Sequence, residues 1–247
     1  MNWNLNPDIN ILVGINGSGK STLLREINKY FNPSVPGART MKIKIEPDVR
    51  TSLKCLMINT FDVPVIPHKV KDLKESILDV ELRDLLYTTG QDNQLSFVNF
   101  RLKATISTEN AFKINEQIKF LFSEIDKLFS KTGKRIEINP ADNSLVFRTD
   151  DGTIIELTQL SSGEKQLLII LFTVFLTEGK PVLLLMDEPE ISMHIEWQQQ
   201  LIDVIYTINP NCQLIIATHS PSIFGDGWGD KLFFMEDIIK SADAGQE

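Results

Sequence analysis

The apolar positions along the chain form two kinds of pattern. Short, nearly continuous runs at Asp8–Val13, Val182–Met186 and Gln213–Thr218 read as buried strands, and Met41–Ile45 and Thr51–Asn59 read as further strands. Helical spacing marks Ser21–Tyr30, stopped near Asn32-Pro33, and also Lys69–Leu86 and Ile195–Ile208. The clearest helix is Glu109–Ser130. Its apolar residues Ile114, Ile118, Leu121, Ile125 and Leu128 recur every three or four positions, and Phe122 and Phe129 widen the stripe. Arg135–Ile138, Ser144–Thr149 and Thr153–Leu157 read as three short strands joined by Asn139-Pro-Ala-Asp-Asn143 and Asp150-Asp-Gly152 turns. Gly163–Glu178 reads as an apolar helix, and its run Leu167–Leu176 is as expected of a helix buried on every side. With no repeat or linker, the pattern predicts one α/β domain over 1–247, with a core of 1–60 and 158–247 and an inserted lobe of 61–157.

Composition narrows the class. With 247 residues, 42% hydrophobic and 23% charged, the chain suits a folded domain. Its 33 acidic against 25 basic residues give a net charge of −8, which argues against nucleic-acid binding by bulk charge. The one basic concentration is Val98–Arg135. There Arg101, Lys103, Lys113, Lys119, Lys127, Lys131, Lys134 and Arg135 face four acids, Glu109, Glu116, Glu124 and Asp126. A solvated helix face is the simpler reading of it, and a patch for nucleic acid or an acidic partner is the alternative. Two cysteines, Cys55 and Cys212, cannot build a disulfide framework and read as buried thiols in a reducing compartment. The first ten residues lack a signal-peptide pattern. The longest apolar run, Leu167–Leu176, is half of the roughly 20 residues a membrane-spanning helix needs. A cytoplasmic protein without a membrane segment is expected.

Four motifs carry chemistry. Gly14-Ile-Asn-Gly-Ser-Gly-Lys-Ser21 lies between a strand and a helix, and its glycines let successive N–H groups turn toward phosphate oxygens. Lys20 supplies charge to the β- and γ-phosphates, and the Ser21 hydroxyl is suited to Mg²⁺. Val182–Pro189 is an apolar strand ending in two carboxylates. Asp187 can hold the metal, and Glu188 can orient and deprotonate water. Leu160-Ser-Ser-Gly-Glu-Lys-Gln166 opens a helix. Ser161, Ser162 and Gly163 suit a phosphate, while the plainer reading is an N-cap with Glu164 in the first turn. Finally, His219 closes the strand ending at Thr218, and it either serves the fold or donates to the γ-phosphate.

Taken in this order, the motifs resemble the ABC-type ATPases. Gly14–Ser21 looks like Walker A, Leu160–Glu164 like the signature, Asp187-Glu188 like Walker B with its catalytic glutamate, and His219 like the switch histidine. The resemblance implies a P-loop NTPase with an ABC-type ATPase head, a mixed β-sheet core and an inserted helical and β lobe. It implies ATP and Mg²⁺ as cofactors. Nucleotide contacts fall on Gly14, Asn16, Gly17, Ser18, Gly19, Lys20, Ser21 and Thr22, metal contacts on Ser21 and Asp187, and catalysis on Lys20, Glu188 and His219. It also implies a head-to-tail homodimer in which Ser161, Ser162, Gly163 and Glu164 of one chain complete the site of the other.

His194 stands where transport cassettes usually carry Asp, and Glu164 where they mostly carry Gln. Both features resemble the soluble branch: SMC and break-repair heads, RecF, and the OLD-like AAA family ATPases of bacterial anti-phage systems. Asp187–His194 with Thr218–Pro221 is most similar to the OLD-like group. That resemblance implies a switch controlling a partner or effector protein. The alternatives are a DNA-repair ATPase that engages DNA through the lobe and a transporter nucleotide-binding domain. The helix Glu109–Ser130 would span only about 33 Å, a lobe helix rather than a tethering arm.

Overall fold

The computed structural model describes residues 3–35, 43, 45–46, 53–58, 76–89, 95–225 and 227–238. By their contacts the residues fall into two compact units, 1–62 with 179–247, and 63–178. The segment 158–178, expected with the core, groups instead with the inserted segment, because its helix packs on lobe helices.

The first unit is built on a five-stranded sheet. β1 (Ile9–Val13), β2 (Lys54–Ile58), β6 (Val182–Asp187), β7 (Cys212–Ala217) and β8 (Leu232–Phe234) run in the order β2-β6-β7-β1-β8. Every pairing is parallel. The mixed character expected of this sheet is therefore not seen among the described residues. Met41–Ile45 lies mostly outside them, and Trp3–Asn6 forms no strand. Parallel strands buried on both faces read as continuous apolar runs, which is why β6 and β7 stood out in the sequence. β8 did not, because three residues are too few for a period.

Helix α1 (Lys20–Phe31) lies against β2, β6 and β7 and buries Leu23, Leu24 and Ile27 on Leu12, Cys55, Leu183, Leu185, Ile215 and Ala217. It ends at Asn32, directly before Pro33. Helix α6 (Ile195–Ile208) is capped by His194, whose Nδ1 accepts from the Glu196 N–H at 3.4 Å.

The second unit pairs helices with a small antiparallel sheet. The helices are α2 (Ile77–Tyr87), α3 (Phe97–Leu102), α4 (Thr108–Phe129) and α5 (Ser162–Phe175). The sheet is β3 (Lys134–Ile138), β4 (Leu145–Thr149) and β5 (Ile154–Glu156), with two antiparallel pairings. Ser76 caps α2 with Asp79 in a reciprocal box; residues 69–75 of the expected helix lie outside the described part. α3 was not legible, since six residues give under two turns. The stripe on α4 is buried as the spacing requires. Phe97 and Phe100 of α3 meet Phe172 and Phe175 of α5 edge-on, at 5.1 and 4.8 Å between centroids. Gly163–Phe175 is buried throughout, and among the described residues no helix is long and apolar enough to cross a membrane.

Cys55 on β2 and Cys212 on β7 are buried free thiols, and burial pushes both pKa values up to about 12. Because the thiolate is the reactive form, a thiol reagent at neutral pH should modify neither residue in the native protein and both after denaturation. Rapid titration of either thiol without denaturant would contradict the packing of these strands.

Candidate functional site

The site begins where β1 ends. Gly17 and Gly19 take φ of +79° and +99°, a region costly for residues with a Cβ. A Cβ at Gly14 would lie 2.9 Å from Ser18 Oγ and 3.0 Å from Met235 Cβ, so a side chain there would fill the loop. The first i→i−4 bond of α1 is Leu23 N–H to Gly19 O at 2.9 Å, which leaves the N–H groups before it without intrahelical acceptors. Ser18 Oγ is buried with no hydrogen-bond partner. Asn16 is exposed in the loop, and Thr22 is half-buried in the first turn.

Lys20 is buried, 4% exposed. Its Nζ donates to Gly14 O at 2.8 Å and Ile15 O at 3.3 Å and lies 2.7 Å from His219 Nε2. Burial pulls the Lys20 pKa below its ordinary value, and the nearby carboxylates of Glu188, Asp187, Glu190 and Glu236 oppose that shift. His219 Nε2 is also 3.3 Å from Glu188 Oε1. An ammonium has only donors, so beside charged Lys20 the imidazole nitrogen accepts; it cannot at the same moment donate to Glu188.

Ser21 Oγ donates to Asp187 Oδ1 at 2.9 Å. Glu188 follows with φ +49°, a left-handed backbone held by its N–H donating to Ala217 O at 2.7 Å. The structure thus brings Gly14–Thr22, Asp187, Glu188 and His219 to one edge of the parallel sheet, at the carboxyl ends of β1, β6 and β7. Oxygen donors from a hydroxyl and a carboxylate side by side suit Mg²⁺, which keeps water and phosphate ligands and needs few protein ones. With the glycine-walled loop and the orphaned Ser18 hydroxyl, the residues fit a nucleotide phosphate chain with its metal.

Ser161, Ser162, Gly163 and Glu164 lie in the other unit, at the start of α5. Ser161 is the N-cap: its Oγ accepts from the Glu164 N–H at 3.3 Å, and Glu164 Oε2 accepts from Ser161 N–H and Oγ at 2.8 and 3.0 Å. Glu164 Oε1 takes Lys134 Nζ of β3 at 2.6 Å. Burial pushes the Glu164 carboxyl up, but Lys134 and the two Ser161 donors outweigh it and hold it below the ordinary range. One residue on, Lys165 Nζ reaches Asp79 Oδ1 of α2 at 2.7 Å and Thr158 O at 2.8 Å.

Sequence reasoning gave no role to Glu190, Gln198 or Ser220. Glu190 Oε1 accepts from Thr218 Oγ1 at 2.5 Å, His219 N–H at 3.0 Å and Ser220 N–H at 3.2 Å. Ser220 Oγ donates to Gln198 Oε1 at 2.7 Å. The available signal was a third acid beyond Asp187-Glu188, but its partner follows a different strand and becomes visible only with the strand order.

These features belong to the P-loop NTPase fold. The chain belongs to the AAA ATPase domain family, which matches residues 66–224, a range containing Ser161–Glu164, Asp187, Glu188 and His219; Gly14–Ser21 precedes it. A probable ATPase of retron Vc95 from Vibrio cholerae serotype O1 biovar El Tor is 30% identical over 166 residues, covering 60% of this chain and 32% of that protein. The Septu protein PtuA of Bacillus thuringiensis is 25% identical over 268 positions, covering 88% and 67%. An uncharacterised Dictyostelium discoideum protein is 28% identical over 163 residues, covering 60% and 21%. The chain therefore spans from a fifth to two thirds of the length of these relatives. Among solved structures, an Smc head bound to the C-winged helix domain of ScpA superposes with a TM-score of 0.50 at 14% identity, over 90% of this chain and 85% of that one, a likeness of fold.

The tie on α5 is testable. Replacing Lys134 with Met should leave Glu164 buried without its cation and cost about 3 kcal/mol of unfolding free energy at neutral pH. Because the Glu164 pKa is lowered by folding, the stabilisation is complete above the unfolded carboxylate range and is lost as pH falls through the folded value. The gap between wild type and Lys134→Met in urea midpoint should therefore close on acidification. A gap that is constant with pH would assign the loss to packing.

Proposed function

We propose that this chain binds and hydrolyses ATP with Mg²⁺ and works as a nucleotide-dependent switch on a partner protein. One observation carries the reading: Lys20, Ser21, Asp187, Glu188 and His219 converge at the carboxyl edge of the sheet. Gly14–Thr22, including Asn16, Gly17, Ser18 and Gly19, would hold the phosphates, with Lys20 turning its ammonium from the Gly14 and Ile15 carbonyls to the anion. Ser21 and Asp187 would hold Mg²⁺, which when bound neutralises phosphate charge. Glu188 then orients and deprotonates the attacking water, and His219 places a hydrogen bond beside it.

The switch would be a head-to-tail homodimer in which Ser161, Ser162, Gly163 and Glu164 close the partner's site. The soluble-branch motifs and the retron and Septu relatives support anti-phage defence as the setting and a cytoplasmic location. The alternative, DNA engagement through residues 98–135, loses weight on the surface. There Lys103, Lys119, Lys127, Lys134 and Arg135 face Glu178, Glu116, Glu124, Glu164 and Asp150, and Arg101 donates to Asn143. Cations already paired release few phosphate counterions. Nothing observed favours a transporter role.

Lys20→Ala should abolish ATP binding or hydrolysis, and unchanged turnover would remove Gly14–Ser21 from the reaction. Glu188→Gln should keep nucleotide binding and slow hydrolysis by about 10²-fold or more. For the dimer, sedimentation of Glu188→Gln in Mg-ATP, with and without an added Ser161→Arg, is decisive. The single variant should dimerise and the double variant should not; equal dimerisation would make Leu160–Gln166 only a capped helix.

A further inference from the structure

His219 sits on a short turn after β7, and nothing in the turn's own sequence fixes where its ring points. Its hydrogen bonds come from elsewhere. A single oxygen, Glu190 Oε1, gathers the Thr218 hydroxyl and the backbone N–H groups of His219 and Ser220. Thr218 Oγ1 also accepts from Ser220 N–H at 2.9 Å, so Glu190 Oε1, the Thr218 hydroxyl and the Ser220 amide form a closed triangle of bonds, with the His219 N–H bonded to the same carboxylate oxygen.

Glu190 is itself held. Ile191 N–H donates to Glu188 O at 3.2 Å and Met193 N–H to Glu190 O at 2.9 Å, which fixes the backbone on either side of the carboxylate. Gln198, one turn into α6, donates to Met193 O at 2.9 Å and accepts from Ser220 Oγ at 2.7 Å. The other oxygen, Glu190 Oε2, is buried without a hydrogen-bond partner, so all the bonding of this carboxylate points at the histidine turn.

We infer that Glu190 is a positioning residue that sets the orientation of His219 between Lys20 and Glu188 by binding the backbone of its turn. It has no bond to Lys20 or Glu188; it acts through the two amides and the Thr218 hydroxyl. The consequence for turnover rests on the ATPase reading above, while the consequence for the ring does not. A carboxylate receiving two N–H groups and one O–H leaves the turn one low-energy arrangement. That arrangement presents Nε2 to Lys20 at 2.7 Å.

Two variants separate reach from charge. Glu190→Gln keeps the side-chain length and an acceptor oxygen but loses the charge. Glu190→Asp keeps the charge but withdraws the oxygens by about 1.5 Å, one carbon–carbon bond. The chain has three histidines, so nitrogen-15 shifts of the imidazoles, with His219→Asn to assign the signal, report tautomer and ring order directly in nucleotide-free protein. With Glu190 or Gln, His219 should show a single tautomer with Nδ1 protonated. With Asp, its two nitrogens should move toward averaged shifts while the protein stays folded. Turnover should follow: Glu190→Asp about 10²-fold below wild type, as for reacting groups displaced by about 1 Å, and Glu190→Gln well above it. The inference is overturned if Asp orders the ring as well as Gln does, since charge or nothing at all would then be at work. A wild type that orders the ring yet does not hydrolyse ATP would overturn the proposed function and leave this inference standing.

Discussion

The pairing of β6 with β7 is the constraint on which the site depends. Asp187 lies opposite Ala217, and Leu12 of β1 lies opposite Ala217 from the other side. That register delivers three loops to one edge within hydrogen-bonding reach: the glycine loop after β1, the acidic pair after β6 and the histidine turn after β7. Backbone bonds lock them there, Glu188 N–H to Ala217 O and Thr218 N–H to Leu12 O. A slip of one residue would reverse the faces of every side chain on β6 and carry Asp187 away from Ser21. Such a slip would also break the backbone bonds that close the edge, so the pairing that builds the sheet also sets the spacing of the polar groups.

The same edge concentrates groups that are costly to bury. Lys20, Asp187 and Thr218 are all buried, and each is matched by a partner: carbonyls and imidazole, a hydroxyl, and a carboxylate. Glu188 adds a left-handed backbone, a conformation that costs a non-glycine residue of order 1–3 kcal/mol. It is retained because its N–H closes onto β7 while its carboxylate turns toward His219. Strain and buried charge are thus gathered at the carboxyl edge of the sheet, where backbone bonds tie β1, β6 and β7 together.

Much of this was legible from residue patterns, and the rest was not for identifiable reasons. β6, β7, α4 and α5 carry long, uniform periods, and their extents agree with the spacing to within three residues. Gly14–Ser21 and Asp187-Glu188 are contiguous, so their chemistry can be read locally. Glu190 with Thr218, Lys134 with Glu164 and Lys165 with Asp79 join residues 28, 30 and 86 positions apart. Nothing local marks such pairs, because each is made by tertiary packing. The basic run 98–135 was legible as charge but not as pairing, since three of its five facing carboxylates, Glu164, Asp150 and Glu178, lie outside the run.

The cap of α5 bears on how the serine proposed to close a partner's site can also be structural. Ser161 Oγ has one hydrogen, and it points to Glu164 Oε2. Donating to a phosphate oxygen would require giving up that bond to a carboxylate, worth about 1.5–3 kcal/mol, in exchange for one to another anion. The cap itself need not break, because Glu164 N–H still donates to the hydroxyl oxygen. Nor is the carboxylate stranded, since Lys134 and the Ser161 N–H remain on it. Lys165, tied to Asp79 and to the Thr158 carbonyl, holds the helix start against α2 throughout. Under the proposed dimer the exchange would therefore be confined to one hydrogen, with the remaining bonds of the cap left in place.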